Sequence, residues 1–486
     1  MSKDLLSLEP KLLWKNFYQL TRIPRPSKKE GNAVKFVEAI GKSLNLETIT
    51  DKVGNVIIRK PATPGFENRK GVILQSHLDM VPQKNSDKKH DFEKDPIEAF
   101  VEDGWVKAKG TTLGADNGIG VAATIAVLQS KDIAHGPIEA LFTIDEETGM
   151  TGANNLQPGI LKGDILINMD SEDEGELYVG CAGGSNANAR FSFKEEPVPA
   201  KSVAFRVSLT GLKGGHSGMD INMGRGNANK LMFRFIKNVV ATLDTRLASI
   251  DGGSLRNAIP REAFAELVVP EANVQEFQET VNDFQEMFKQ EYGSVEPDLK
   301  FNAEKTGLPL FVIDEMVQDD LINAIQGCPN GVIRMSSDMD GLVETSLNLA
   351  IVKSENHEVK ALALIRSSVE SAKEDVESTM ESIFRLAGAE IWFDGQYPGW
   401  KPNLDSAVLK TMQKVYQDKW GKIPEIKAIH AGLECGILGS VYPNWDMISF
   451  GPTIRFPHSP DEKVNVDTVN LFWQFLVETL KNIPVK

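Results

Sequence analysis

The chain has 486 residues, 41% of them hydrophobic and 25% charged, a composition that fits a folded globular protein and leaves no biased tract for disorder. Its 53 basic against 68 acidic side chains give a formal charge of -15, which disfavours nucleic acid and anionic membrane as partners. Acidic residues stand among the first ten where a secretory signal would be apolar, no run of about 18 apolar residues occurs, and Cys181, Cys328 and Cys435 are widely spaced, so a cytoplasmic protein with free thiols is expected.

At about 150 residues per domain the length implies two or three domains. From Leu5 to about Cys181 helix and strand patterns alternate: Val34, Phe36, Val37 and Ile40 mark an amphipathic helix, and Val56 to Ile58, Gly71 to Gln75, Ile138 to Ile144 and Ile165 to Met169 are apolar runs of strand type. This is α/β grammar. Asn117 to Leu128, rich in small residues, predicts a buried helix packed close to a sheet. The glycine cluster from Gly180 to Ser185 breaks the pattern and reads as a hinge. Beyond it, Ser202 to Leu209, Phe264 to Val269, Leu347 to Val352 and Val359 to Ile365 read as strands, with helices at Asn227 to Val240, Val274 to Phe288 and Ala372 to Leu386. Helical patterns at Leu409 to Tyr416 and Val466 to Leu480, with a strand at Met447 to Phe450, return to the first style. The expected architecture is an α/β domain with a mixed sheet and helices on both faces, built from residues 1–186 and 396–486 and interrupted by an α+β insert at 187–395.

Five short segments end in side chains that a divalent metal accepts: His77 in Ser76-His77-Leu78-Asp79, Asp116 in Gly114-Ala115-Asp116-Asn117, Glu147 in Asp145-Glu146-Glu147, Asp170 in Asn168-Met169-Asp170, and His458 in Phe456-Pro457-His458. Three follow apolar strand runs directly, and in an open α/β sheet ligands gather beyond the carboxyl ends of strands. Imidazole nitrogen and carboxylate oxygen together suit zinc. The set supplies one imidazole to each of two ions, with Asp116 as the bridge, His77 and Asp170 on one ion, and His458 and Glu147 on the other. Glu146, placed at a strand end so that its side chain points away from that of Glu147, is the expected general base for water activated by the ions. Asp79 is placed to accept the second N–H of His77 and fix its ring. Each segment alone has an ordinary explanation as a cap, a turn or a solvated acidic pair; only their combination points to one site. Nucleophile elbow, phosphate loop and His-Glu-X-X-His patterns are absent from the sequence.

At these residues the chain resembles the co-catalytic dizinc metallopeptidases, the family of carboxypeptidase G, tripeptidase T and the carnosinases. The resemblance spans nearly the whole chain, and the segments Gly211 to Gly218 and Ala428 to Gly436 resemble its dipeptidase branch. It implies metal binding by His77, Asp116, Glu147, Asp170 and His458, with Glu146 as base and Asp79 as orienter. It further implies that the insert is a lid in which His216 stabilises the oxyanion and Arg366 holds a substrate carboxylate, that Asn257 makes polar contacts to substrate, and that Glu434 meets a free amino terminus. The implied activity is hydrolysis of short unblocked dipeptides, Xaa-His and carnosine-type β-Ala-His among them, with two zinc ions per subunit, cobalt or manganese as substitutes, and a homodimer. An N-acyl amino acid amidohydrolase using the same ions, and a non-catalytic metal-binding protein on the same fold, are the alternatives. The segment Gly432-Leu433-Glu434, where shorter relatives carry a Gly-Thr-Asp type sequence, weighs against carboxypeptidase G or deacylase activity.

Overall fold

Four parallel strands, Ile138–Thr143, Val72–His77, Ile165–Asn168 and Asp446–Ser449, form the centre of an eight-stranded sheet in a computed structural model that describes residues 2–486, with side chains from Asp4 onward. The first three are buried at every position, as strands covered on both faces must be. Val56–Lys60 and Glu47–Thr50 extend the sheet on one side by antiparallel pairing; on the other Glu176–Cys181 pairs antiparallel with Asp446–Ser449, and Glu425–Ile429 lies beyond it. Val72–His77 lies between two strands that come later in sequence, so the chain steps first to one side of it and then to the other. That reversal opens a crevice at the carboxyl end of the strand.

The helix Ala115–Gln129 is buried along nearly its whole length. Its small residues are required by close neighbours: a Cβ on Gly118 would stand 2.7 Å from Arg25 Nη2 and 2.9 Å from the Phe17 ring. The helix is regular only beyond Asn117, because Asp116 and Asn117 have non-helical backbone angles and the peptide between them is cis.

The chain divides into two compact units, one of residues Met1–Cys181, Trp400–Ala428 and Leu433–Lys486, the other of Ala182–Gly399 and Ile429–Gly432. The α/β expectation for the first and the α+β expectation for the second hold. The junctions fall at Cys181/Ala182 and Gly399/Trp400, and the short return of Ile429–Gly432 was not anticipated. The glycine cluster read as a hinge contains the first junction between the units, and its backbone is nearly continuous strand, Glu176–Cys181 followed by Gly183–Ser192. Its glycines answer a need for close backbone approach: a Cβ on Gly183 would lie 2.5 Å from both Gly399 N and Tyr397 O.

The second unit holds a nine-stranded antiparallel sheet running Lys300–Thr306, Ser202–Thr210, Ala263–Pro270, Arg246–Gly252, Val343–Glu355, Glu358–Ser367, Gly183–Ser192 and Glu390–Tyr397, with Gly331–Met335 paired off the path to Val343–Glu355. Helices Ala228–Leu243, Val274–Tyr292 and Glu370–Leu386 confirm the amphipathic patterns, and Glu315–Gly327 joins them. In the aromatic core the Phe235 ring lies 4.9 Å from Phe301, 5.2 Å from Phe284 and 5.8 Å from Phe277, edge-on to each. Replacing Phe235 with Ala is expected to lower the stability of this unit by about 3–5 kcal/mol, read as an earlier urea transition; an unmoved transition would show that the cluster does not limit the unit's stability.

Candidate functional site

His77 is the last residue of Val72–His77, Asp145 to Glu147 follow Ile138–Thr143, and Asp170 follows Ile165–Asn168. His458 lies in the loop between the short strands Ile454–Arg455 and Lys463–Asn465. Their side chains meet. His77 Nε2 stands 3.1 Å from Asp116 Oδ1 and 3.3 Å from Asp170 Oδ1, while His458 Nε2 stands 3.3 Å from Asp116 Oδ2 and 2.9 Å from Glu147 Oε2. The two oxygens of Asp116 thus face two separate imidazole–carboxylate pairs.

Each imidazole turns a single nitrogen, with one proton at most, toward two carboxylates, so its one N–H must be shared between them. Buried carboxylates converging in this way call for cations. Two groups of ligand atoms that could hold a metal ion, His77 with Asp116 and Asp170 and Asp116 with Glu147 and His458, each lie within 4.8 Å. Glu147 Oε1 is buried with no hydrogen-bond partner. The residues fit divalent metal by donor chemistry and by this orphaned oxygen. His458, with its side chain half exposed, leaves the site open to solvent.

Electrostatics in the protein alone match that reading. Burial, with Asp116 nearby, pushes the Asp170 carboxyl up to about 6 against the opposing pull of His77. Hydrogen bonds to Asp116 and then Glu147 hold His458 up at about 11. Burial raises Glu146 well above the usual carboxylate range, with Asp170, Glu434 and Glu147 adding to the rise and His77 opposing it.

Glu146 and Glu147 do not sit at a strand end. Asp145 has φ +53°, and the two glutamates open the short helix Glu146–Gly149, so helical rotation rather than strand alternation separates their side chains. Asp79 reaches further than expected. Its Oδ1 lies 3.2 Å from His77 Nδ1, an ion-pair contact outside strict hydrogen-bond geometry, and its carboxylate accepts from Glu146 N at 3.0 Å, Glu147 N at 3.2 Å and Ser27 Oγ at 2.8 Å. Burial opposes its charge, but His77 and these donors hold it at about 2. Asp79 therefore caps the helix that carries Glu146. Asn117 Nδ2 donates to Met169 O at 2.9 Å and also to the Asp170 carboxylate, tying the two ligand segments together.

Glu434, at the start of the helix Glu434–Val441, accepts from Gln75 Nε2 at 2.6 Å and Thr143 Oγ1 at 2.8 Å through Oε2. Its Oε1 is buried without a partner, and burial lifts the carboxyl to about 7.

The remaining candidates belong to the second unit. Gly215–His216 is a two-residue strand paired with Ala258–Ile259. His216 Nδ1 accepts from Gly218 N at 3.1 Å and Met219 N at 3.0 Å, which places the proton of the neutral ring on Nε2. Burial, and then the charge of Arg366, keep that ring neutral by lowering its pKa. Arg366 is buried, donates from Nη1 to Tyr397 OH at 3.1 Å, and has no carboxylate partner among the described residues. Asn257 is exposed, and its carbonyl accepts from Ser217 N at 2.9 Å. His430, overlooked in the sequence, pairs through Nε2 with Ser346 Oγ at 2.7 Å, and burial followed by Arg366 and His216 pushes it down to about 3. Arg25, Tyr397 and Glu462 were missed as well; only Glu462, four residues after His458, carries a positional hint.

Residues 73–482 match Peptidase family M20/M25/M40, and the chain belongs to that family. It is 47% identical over 483 residues to the cytosol non-specific dipeptidase of Escherichia coli (strain K12), covering 99% of this chain and 100% of that protein. An aminoacylhistidine dipeptidase from Vibrio alginolyticus matches in structure with a TM-score of 0.96 and 50% identity over 100% of both chains. The aminopeptidase PepT from Bacillus cereus ATCC 10987, at 17% identity and a TM-score of 0.58 over 98% of this chain and 99% of that one, shares the fold. Among the described residues no helix is long and apolar enough to cross a membrane.

His430 supplies a pH dependence. It stays neutral down to about 3, whereas a histidine in the unfolded chain protonates near 6.5. Between those values the unfolded chain binds more protons, so stability from this residue is full above pH 6.5 and is lost as pH falls toward 3. Urea midpoints measured from pH 7 to pH 4 should fall less steeply in His430→Gln than in the wild type. Equal slopes would assign the acid sensitivity to other groups.

Proposed function

We propose that the protein is a metal-dependent dipeptidase whose two ions, zinc by the chemistry of the donors, are held by His77 and Asp170 on one side and by His458 and Glu147 on the other, with Asp116 between them. The observation that carries this reading is the division of the Asp116 oxygens between two imidazole–carboxylate pairs. Such ions, when bound, supply Lewis-acid polarisation of a carbonyl and activation of water. Glu146, within 4.8 Å of ligand atoms of His77 and Glu147, takes the proton from water and returns it to the leaving amine. Asp79 holds the backbone of Glu146 and steadies His77.

The second unit is assigned the handling of substrate, as a lid. His216 donates from Nε2 to the developing oxyanion, and Arg366, steadied by Tyr397, binds the terminal carboxylate through its planar fork. Glu434 receives the free amino group and Asn257 adds a polar contact. The likeness to a cytosol non-specific dipeptidase and to an aminoacylhistidine dipeptidase supports unblocked dipeptides, Xaa-His and β-Ala-His among them, as the substrate class. A cytoplasmic homodimer is part of the same proposal, its location supported by the likeness to a cytosol non-specific dipeptidase.

Amino-acid release from β-Ala-His, Ala-His, Gly-Gly, Leu-Ala, Ala-Ala-Ala-Ala and N-acetyl-Ala, before chelation, after it and after zinc return, tests the reading. Zinc-restored cleavage confined to the dipeptides is the expected result, and cleavage of N-acetyl-Ala alone would move the protein to the amidohydrolases. Separately, Glu146→Gln should cut kcat by about 10²-fold or more while two equivalents of metal stay bound; retained turnover would remove Glu146 as the base.

A further inference from the structure

Four successive backbone N–H groups donate to one buried carboxylate. Leu113 N at 2.7 Å and Gly114 N at 2.9 Å reach Glu462 Oε2, and Ala115 N at 2.7 Å and Asp116 N at 3.3 Å reach Oε1. Glu462 is 2% exposed and belongs to the same loop as His458. A carboxylate whose acceptor sites are filled by consecutive donors of one loop fixes the path of that loop. The loop in question delivers Asp116.

Arg25, also 2% exposed, grips the same loop. Its Nη2 donates to Gly114 O at 2.5 Å, and its Nη1 donates to Leu78 O at 3.0 Å and Asp79 O at 2.8 Å. The guanidinium therefore joins the Asp116 loop to the segment that follows His77, as Glu462 joins it to the segment that carries His458. There is no room for anything larger than glycine beside it: a Cβ on Gly114, where φ is +71°, would stand 2.6 Å from Arg25 Nη2 and 2.8 Å from Met80 Sδ. Three of the chain segments that bear the candidate ligands are thus locked to one another through two buried ionic side chains.

We propose that Arg25 and Glu462 are a positioning pair that sets Asp116 so that each of its oxygens serves a separate metal subsite, an inference that rests on the dinuclear reading above. Both act through Asp116 and its neighbours rather than on substrate. In Glu462→Gln an amide NH₂ replaces one oxygen and meets backbone donors, so the acceptor face is halved. In Arg25→Lys a single ammonium cannot span both loops as the guanidinium fork does.

The test uses the full chain. Chelator competition measures the affinity of both Zn²⁺ equivalents, Co²⁺ absorption reports coordination geometry, and unfolding midpoints are taken with chelator present. Each variant is expected to weaken at least one Zn²⁺ equivalent by about 10–100-fold and to shift the Co²⁺ spectrum. A purely structural role would lower the midpoint but leave both affinities and the spectrum as in the wild type, and that result overturns the proposal. Should Glu462→Gln fail to fold, Arg25→Lys decides. Wild-type protein that binds fewer than two equivalents overturns the dinuclear reading and this inference together, whereas two wild-type equivalents unaffected in the variants overturn this inference alone.

Discussion

Asp116, Asp170 and Glu147 are brought close together around two imidazoles, and this crowding of like charge is the constraint on which the first unit depends. Side chains that repel one another stay together only when the backbone beneath them has no freedom to relax. The parallel strands Val72–His77, Ile138–Thr143 and Ile165–Asn168 supply that rigidity, since they are buried on both faces and bonded on both edges. Where the candidate ligands leave the sheet, buried polar groups take over. Asp79 caps the helix of Glu146, Asn117 spans to Asp170, and Glu462 gathers the loop before Asp116. Much of the polar chemistry around the candidate ligands is directed at backbone.

The second unit follows a different electrostatic logic. Its candidate residues offer donors: the guanidinium of Arg366 and the Nε2–H of His216, whose tautomer is fixed by two backbone amides. Burial keeps His216 and His430 neutral beside Arg366, so that cation is the local charge that remains available to an anion.

Much of this was legible in the sequence because the first unit obeys local rules. Fully buried strands leave unbroken apolar runs, and ligands beyond their ends appear as short polar words such as Ser76-His77-Leu78-Asp79. Two kinds of information were not local. The Gly180 to Ser185 cluster looks like a chain break, since sequence does not reveal that Gly183 packs against the backbone of Gly399 and Tyr397. Arg25 left no mark, and Glu462 only its place four residues after His458, for a related reason: their partners are carbonyls and amides, which carry no side-chain signature. The orientation of Glu146 was reasoned from strand alternation, while the chain had already turned into a helix after Asp145 with φ +53°. A left-handed aspartate has no reliable mark in one sequence.

The discontinuity of the first unit has a consequence for biosynthesis. Its strand Asp446–Ser449 and its His458 lie after the whole of the second unit in the chain. At about 5–20 residues added per second, His77, Asp116, Glu147 and Asp170 all leave the ribosome long before His458 and Glu462 can join them. A chain that stops short of His458 has the four earlier candidate ligands without the second imidazole or the carboxylate that gathers the Asp116 loop, so the candidate set comes together only after the whole of the second unit has been made.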